Sequence, residues 1–281
     1  MTNPLEIHLD DLGFPEGPVA LPDGSLAFVD LLHRKIRAWN DGEVRVLATV
    51  PGAPNGMRLG PDGALYVCNN GGLSPDHTKA LQRADPQIEG CVMRLATDGS
   101  VTTFTGPLPG AKPSRPNDLV FSPQGDVVFT DPQNWEASGD AYHGGQLLLA
   151  DSTGAVRHLR DMTGFPNGLC FHPDGSLIVG ITLEHRYLKF AWKDGAALDA
   201  PEVWAQMDDG FNPDGMVVHG DRIYAAGSVG DRVAVLSLDG EVIDMIDCGP
   251  GSDPTNLCVH LGRLWITLGY RGALASMPLP A

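Results

Sequence analysis

One tripeptide pattern, Pro followed by an acidic or amide residue and then usually Gly, recurs along the whole chain and limits its fold more than any other feature. It reads Pro15-Glu16-Gly17, Pro54-Asn55-Gly56, Pro116-Asn117-Asp118, Pro166-Asn167-Gly168 and Pro213-Asp214-Gly215, with a degenerate sixth copy at Pro254-Thr255-Asn256. Successive copies stand roughly 40–60 residues apart, the period of a propeller blade. Each copy opens the same grammar: a short apolar strand (GPVAL, GMRLG, DLVFS, GLCFH, GMVVH, NLCVH), a tight turn, and a second strand (SLAFVD, ALYVCN, DVVFTD, SLIVGI, RIYAAG, RLWITL). The turns are Pro-Asp-Gly or close variants, in which Gly supplies the positive φ that a hairpin requires. Alternating apolar and β-branched residues make the half-buried faces of strands.

A second hairpin closes most units, as in KIRAWNDGEVRVLATV or VAVLSLDGEVIDMID. Two hairpins make a four-stranded antiparallel blade. The pattern predicts an all-β protein, a six-bladed β-propeller forming one domain over residues 1–281. The sixth unit has only three strands before the chain stops at Ala281. The N-terminal LEIHL, residues 5–9, is the expected missing strand; it would join the last blade and close the ring, leaving no open sheet edge. Blades 2 and 3 carry long inserts between their second and third strands, at 70–90 and 132–144.

The 35 Gly and 23 Pro fit many tight turns, and no long stretch shows helical apolar spacing. The formal charge of −16 repels a phosphate backbone, so nucleic acid is excluded as a partner. No apolar run approaches the roughly 18 residues of a membrane span. The N-terminus lacks the basic and apolar regions of a signal peptide, and the five Cys show no CxxC spacing, so a cytoplasmic setting is expected. The expected partner is a small-molecule substrate, and the chain is expected to be a monomer or a small homo-oligomer.

In a propeller the first strand of each blade lines the central channel, so equivalent residues at its start ring one mouth. That ring reads Glu16, Asn55, Asn117, Asn167, Asp214 and Thr255. Any one copy is explained as a turn, because Asx before Gly favours turns. The set is harder to explain so: Glu16 is a poor Asx-turn former, and two carboxylates near one axis repel each other unless a cation intervenes. Oxygen donors without Cys or His suit hard divalent ions. If the first strand descends from this mouth, loops joining second and third strands return to it. The two inserts would then hang over it as lids or substrate walls.

Phe14-Pro15-Glu16-Gly17-Pro18, Arg115-Pro116-Asn117-Asp118, Phe165-Pro166-Asn167-Gly168-Leu169 and Asn212-Pro213-Asp214-Gly215-Met216 resemble the signatures of the SMP-30/gluconolactonase/LRE-like family, regucalcin-type propeller hydrolases, in order along essentially the whole chain. The resemblance implies one divalent metal ion, Ca²⁺ first, with Mg²⁺, Mn²⁺, Zn²⁺ or Fe²⁺ as alternatives. It implies Glu16, Asn167 and Asp214 as ligands, with Asn117 a further ligand or a substrate contact. Arg115 is implied in substrate binding, whereas Asn55 matches no common ligand and is read as a mouth residue that meets substrate. The family's main activity is lactone hydrolysis. Phe129-Thr130-Asp131-Pro132 is similar to the bacterial gluconolactonase version, but the following insert, QNWEASGDAYHGG, is this chain's own.

The activity expected is metal-dependent opening of a lactone ester, of sugar type, by water attack. Asp214 is the expected catalytic base. His33, His143 or His185 could serve instead, although most of the nine His sit where structural roles suffice. No Gly-x-Ser-x-Gly elbow is present, which disfavours a serine hydrolase. A phosphotriesterase would share every site residue, and a non-catalytic binding propeller would use the same mouth without metal.

Overall fold

The computed structural model describes residues 5–110, 113–135, 144–193 and 200–279. Strand β1 (Glu6–Leu9) precedes blade 1, which is built from β2 (Pro15–Ala20), β3 (Leu26–Asp30), β4 (Lys35–Asn40) and β5 (Glu43–Thr49). Blade 2 holds β6 (Pro54–Leu59) and β7 (Leu65–Asn69). A separate hairpin, β8 (Leu73–Pro75) and β9 (Leu81–Arg83), interrupts it before β10 (Cys91–Leu95) and β11 (Val101–Thr103). Blade 3 comprises β12 (Leu119–Phe121), β13 (Val127–Asp131), β14 (Gly145–Ala150) and β15 (Val156–Met162). Blade 4 comprises β16 (Pro166–Phe171), β17 (Leu177–Ile181), β18 (Arg186–Phe190) and β19 (Glu202–Gln206). Blade 5 comprises β20 (Asn212–His219), β21 (Arg222–Ser228), β22 (Arg232–Ser237) and β23 (Val242–Asp247). Blade 6 comprises β24 (Pro254–His260), β25 (Arg263–Leu268) and β26 (Ala273–Pro278), completed by β1.

These six four-stranded antiparallel sheets form the six-bladed propeller. The first strands of neighbouring blades pack against one another around the axis. The N-terminal strand closes the ring, with Ile7 opposite Ala275 and Leu9 opposite Leu274. The Arg263 guanidinium donates to Glu6 at 2.6 Å across the same seam. Among the described residues no helix is long and apolar enough to cross a membrane.

The core lies between blades rather than within any one of them. Ala27 and Val29 of β3 face Met57 and Val67 of blade 2, while Leu26 and Phe28 face Cys258 and Trp265 of blade 6. Successive residues of a strand point to opposite faces, so inner strands buried on both sides read as continuous apolar runs. The five cysteines are buried and unpaired. Burial pushes the Cys170 and Cys258 thiols up to about 12, which leaves them small hydrophobes rather than nucleophiles.

The repeated tripeptide also has a local structural effect. Pairing in the first hairpin skips between Glu16 and Val19, between Pro54 and Met57, between Pro166 and Leu169, and between Pro213 and Met216. Such a bulge releases the residue after Pro from the pleat and re-aims its side chain. Blade 6 skips likewise between Pro254 and Asn256, and in the other four the residue after Pro lines the channel mouth.

Candidate metal and substrate site at the channel mouth

A cavity of about 320 Å³ opens at the end of the channel where the first strands begin. Glu16, Asn55, Asn117, Asn167 and Asp214 line it together. Thr255, the sixth residue of the expected ring, does not. Its hydroxyl lies 2.9 Å from the Pro15 carbonyl and 2.8 Å from the Thr267 hydroxyl, tying blade 6 to blade 1. Asp253, two residues earlier, stands in the lining from that blade. Its backbone takes φ +52, and its carboxylate accepts the Val229 amide at 2.7 Å.

Below the mouth the third position of the tripeptide matters. In blades 1, 2, 4 and 5 it is Gly, and the absent side chains make room on the axis. A Cβ on Gly215 would sit 2.1–2.5 Å from the amide of Asn256, and one on Gly56 would sit 2.3 Å from Asp118 Oδ1. Blades 3 and 6 break the pattern with Asp118 and Asn256, which occupy that space. Asn256 Nδ2 donates to Glu16 Oε2 at 2.9 Å and to Asp118 Oδ2 at 3.2 Å, bridging two buried carboxylates. Arg58, on β6, donates to Asp118 Oδ2 at 3.3 Å. Replacing Gly215 with Ala is expected to push Asn256 off Glu16 and to cost about 1–3 kcal/mol by overpacking. Thermal melting together with a divalent-ion titration checks it, and unchanged melting and unchanged affinity would refute it.

The electrostatics are lopsided. Burial, with Asp118 nearby, raises the Glu16 carboxyl to about 8. Burial pushes Asp214 well above the usual carboxylate range, reinforced by the charges of Glu16, Asp253 and Asp118. Asp118 is raised by burial although Arg58 opposes it, and Asp253 is raised by burial to about 6. Among the described residues four carboxylates thus share the mouth and upper channel, opposed by the Arg58 guanidinium at Asp118 and by the Lys79 ammonium at Asp253. Such a cluster takes up protons or a cation to offset its own repulsion.

The donor chemistry fits a hard divalent ion. Among the described residues no three His, Cys, Asp or Glu side chains converge to hold a metal, so any set must draw on amides. Asn167 meets that need. Its Nδ2 donates to the Thr182 hydroxyl at 3.2 Å, and its Oδ1 is buried without a partner among the described residues, at the wall of the same cavity. A buried amide oxygen without a donor is costly unless something electropositive faces it. Glu16, Asn167, Asp214 and Asn117, all in the lining, could hold such an ion.

Loops joining second and third strands reach the mouth from every blade: Leu31, Pro75 with Leu81, Trp135, Thr182 with Leu183, Ser228 with Val229, and Tyr270 all line the cavity. The insert at 70–90 contributes through the β8–β9 hairpin. The insert at 132–144 contributes Trp135, with residues 136–143, His143 among them, outside the described residues. Arg115 is not in this lining. Its backbone amide donates to Asp131 Oδ1 at 2.7 Å, and Arg115 lines another cavity of about 590 Å³ with Gln87, Ile88 and Ser114. His33 Nδ1 lies 2.9 Å from Asp30 Oδ2, and His185 Nδ1 bonds the Phe211 carbonyl at 3.1 Å, so both are held outside the lining.

Fold and mouth together define a six-bladed propeller with an acidic, amide-lined cavity at one end of its channel. The chain belongs to the SMP-30/gluconolactonase/LRE-like family, whose model matches residues 14–270. A gluconolactonase of Zymomonas mobilis is 26% identical, the match covering 92% of this chain and 76% of that one. The solved gluconolactonase of Xanthomonas campestris superposes with a TM-score of 0.79 at 26% identity, covering 98% of this chain and 89% of that one. The adipocyte plasma membrane-associated protein of mouse is also 26% identical over 72% of this chain, which spans 50% of that protein's length.

Proposed function

We propose that this protein is a divalent-metal-dependent hydrolase that opens the ester bond of a lactone. The observation that carries the reading is the buried cluster of Glu16, Asp214 and the Asn167 oxygen, which has no partner among the described residues, on the wall of the mouth cavity. The likeness to two gluconolactonases supports the choice of lactones, with sugar lactones among the first to try.

Bound by Glu16, Asn167, Asp214 and Asn117, a divalent ion would supply a Lewis acid for the ester carbonyl. The protein's own groups do the remaining work. The Asp214 carboxylate accepts a proton from the attacking water, whose oxygen joins the acyl carbon. The ring C–O bond then breaks, and the departing oxygen recovers a proton to give the hydroxy acid. Asn55 and Asn117 orient the substrate's oxygen atoms, while Phe14, Trp135, Phe165 and Tyr270 exclude bulk water from the mouth. Arg115 lines another cavity, so a role for it in substrate binding requires the substrate to extend there.

A pH-indicator screen of sugar lactones, aliphatic lactones and organophosphates, each with Ca²⁺, Mg²⁺, Mn²⁺, Zn²⁺ and Fe²⁺, tests the reading. Lactone opening that is lost with chelator and restored by one of these ions is expected. Turnover of organophosphates alone would move the assignment to a phosphotriesterase. A protein that neither contains nor takes up a divalent ion would instead be a binding propeller.

A further inference from the structure

The rim of the cavity differs in chemistry from its floor. Large aliphatic side chains scattered singly on a surface are ordinary. Here three of them converge on one opening from three blades: Leu81 at 39% exposure, Leu183 at 50% and Val229 at 59%. Beneath them stand two aromatic pairs, Phe14 with Tyr270 at 5.6 Å between ring centres and Trp135 with Phe165 at 5.9 Å. Leu31 and Pro75 fill the wall between.

Val229 is placed on that rim against its own backbone preference. It sits at φ +68, a left-handed conformation that a β-branched residue rarely adopts, held there by Asp253 accepting its amide at 2.7 Å. Gly or Asn would sit there with less strain. An exposed, strained valine over a polar cavity is explained if its methyl groups meet a ligand.

The polar side chains of the lining are carboxylates, amides and hydroxyls set apart from the three aliphatic residues of the rim. Among the described residues the lining has no Lys, Arg or His. The Lys79 ammonium is directed over the Tyr270 ring, 4.7 Å from its centre. The Thr182 hydroxyl donates to the Pro213 carbonyl at 2.7 Å, and the Ser228 hydroxyl to the Asn212 carbonyl at 3.4 Å. A sugar ring would bring several hydroxyls against leucine, valine and aromatic faces, where they lose water without gaining partners.

Resting on the lactonase reading above, we infer that the substrate is a lactone bearing an alkyl tail, its ring oxygens at the polar floor and its tail against Leu81, Leu183 and Val229. Selectivity then follows from buried methylenes, each contributing about fourfold while the rim has room.

The test uses γ-lactones with alkyl chains of increasing length, beside glucono-δ-lactone, on the full chain with Ca²⁺. The matching γ-lactams, which are not opened, are titrated by tryptophan fluorescence. Both kcat/KM for the lactones and affinity for the lactams are expected to rise about fourfold per methylene over the first few carbons. Glucono-δ-lactone is expected to fall at least tenfold below the best alkyl lactone. The double variant Leu183→Asn, Val229→Asn replaces exposed residues, the second with one that tolerates positive φ, and is expected to cut the long-to-short ratio about tenfold in both assays. Ratios that do not change with chain length, or that the double variant leaves intact, overturn the inference even if lactones are opened. A rising lactam series without opening of any lactone overturns the lactonase reading and leaves the apolar-tailed ligand standing.

Discussion

Asp214→Asn is expected to lower kcat for lactone opening by about 10²–10⁴-fold, the range a positioned general base contributes. The substitution keeps the shape of the side chain and an oxygen donor, so it separates charge from packing. Asp214 is buried, and its carboxyl is raised by burial and by Glu16, Asp253 and Asp118. Holding that carboxyl in the metal-free fold is costly at a pH where the unfolded chain ionises it, and a neutral amide does not carry that cost. The variant is expected to melt higher than the wild type without metal at pH 8, by about 1–3 kcal/mol of stability. Lower activity combined with higher stability distinguishes a lost functional group from a damaged fold. Near-full turnover with metal still bound would remove Asp214 from the role of base. Loss of metal together with turnover would show that its first task is to hold the ion. Steady-state kinetics, metal analysis and melting on one preparation read all three.

The architecture was legible in the sequence because each blade begins with the same physical problem. A bulge after Pro in five of the blades, inner strands buried on both faces and a Gly-bearing hairpin turn impose similar residue types from blade to blade. The missing strand of blade 6 was legible for a related reason: an unpaired β26 edge would be costly, and Glu6–Leu9 had the alternation to pair with it. The height of the ring was legible too, since register along the chain sets height along the axis.

Direction across the axis was not. Thr255 shares its register with Glu16 and Asp214, yet its short hydroxyl finds backbone and Thr267 partners nearer than the channel, and Asp253 reaches the mouth in its place. Arg115 stands in a family signature, but its backbone amide is held by Asp131 and it lines a different cavity. Asp118 and Asn256 were visible as departures from Gly at the third position, a signal the reading of the second position passed over. Their meaning depends on the space left by Gly56 and Gly215 in other blades, which no single repeat contains. The apolar rim is assembled from loops of several blades, so no local stretch displays it.

Stability of the metal-free protein is expected to fall as pH rises from about 5 to 8, and a divalent ion is expected to restore it at the upper end. The sign follows from the carboxyls of the mouth. Glu16 titrates at about 8 in the folded protein, against 4.5 for the free side chain, and Asp253 at about 6 against 3.8. Asp118 and Asp214 are raised as well. Between the two values the folded chain keeps protons that the unfolded chain has released, so each rise in pH favours unfolding. The slope is about 1.4 kcal/mol per pH unit for each proton retained. The exposed turn aspartates work in the other direction but outside this window. Asp76, Asp98 and Asp151 are held below the ordinary carboxylate range, chiefly by neighbouring hydroxyls. Metal and protons compete for the same oxygens, so binding at pH 7 releases protons. Calorimetry in buffers of different ionisation heat measures that release directly. Melting midpoints in chelator that stay level or climb from pH 5 to 8 would mean that these carboxyls are ionised without a cation, and the electrostatic case for a metal at this mouth would fail. A fall in chelator that Ca²⁺ reverses at pH 8 but hardly alters at pH 5 would tie the metal to the same oxygens that hold the protons.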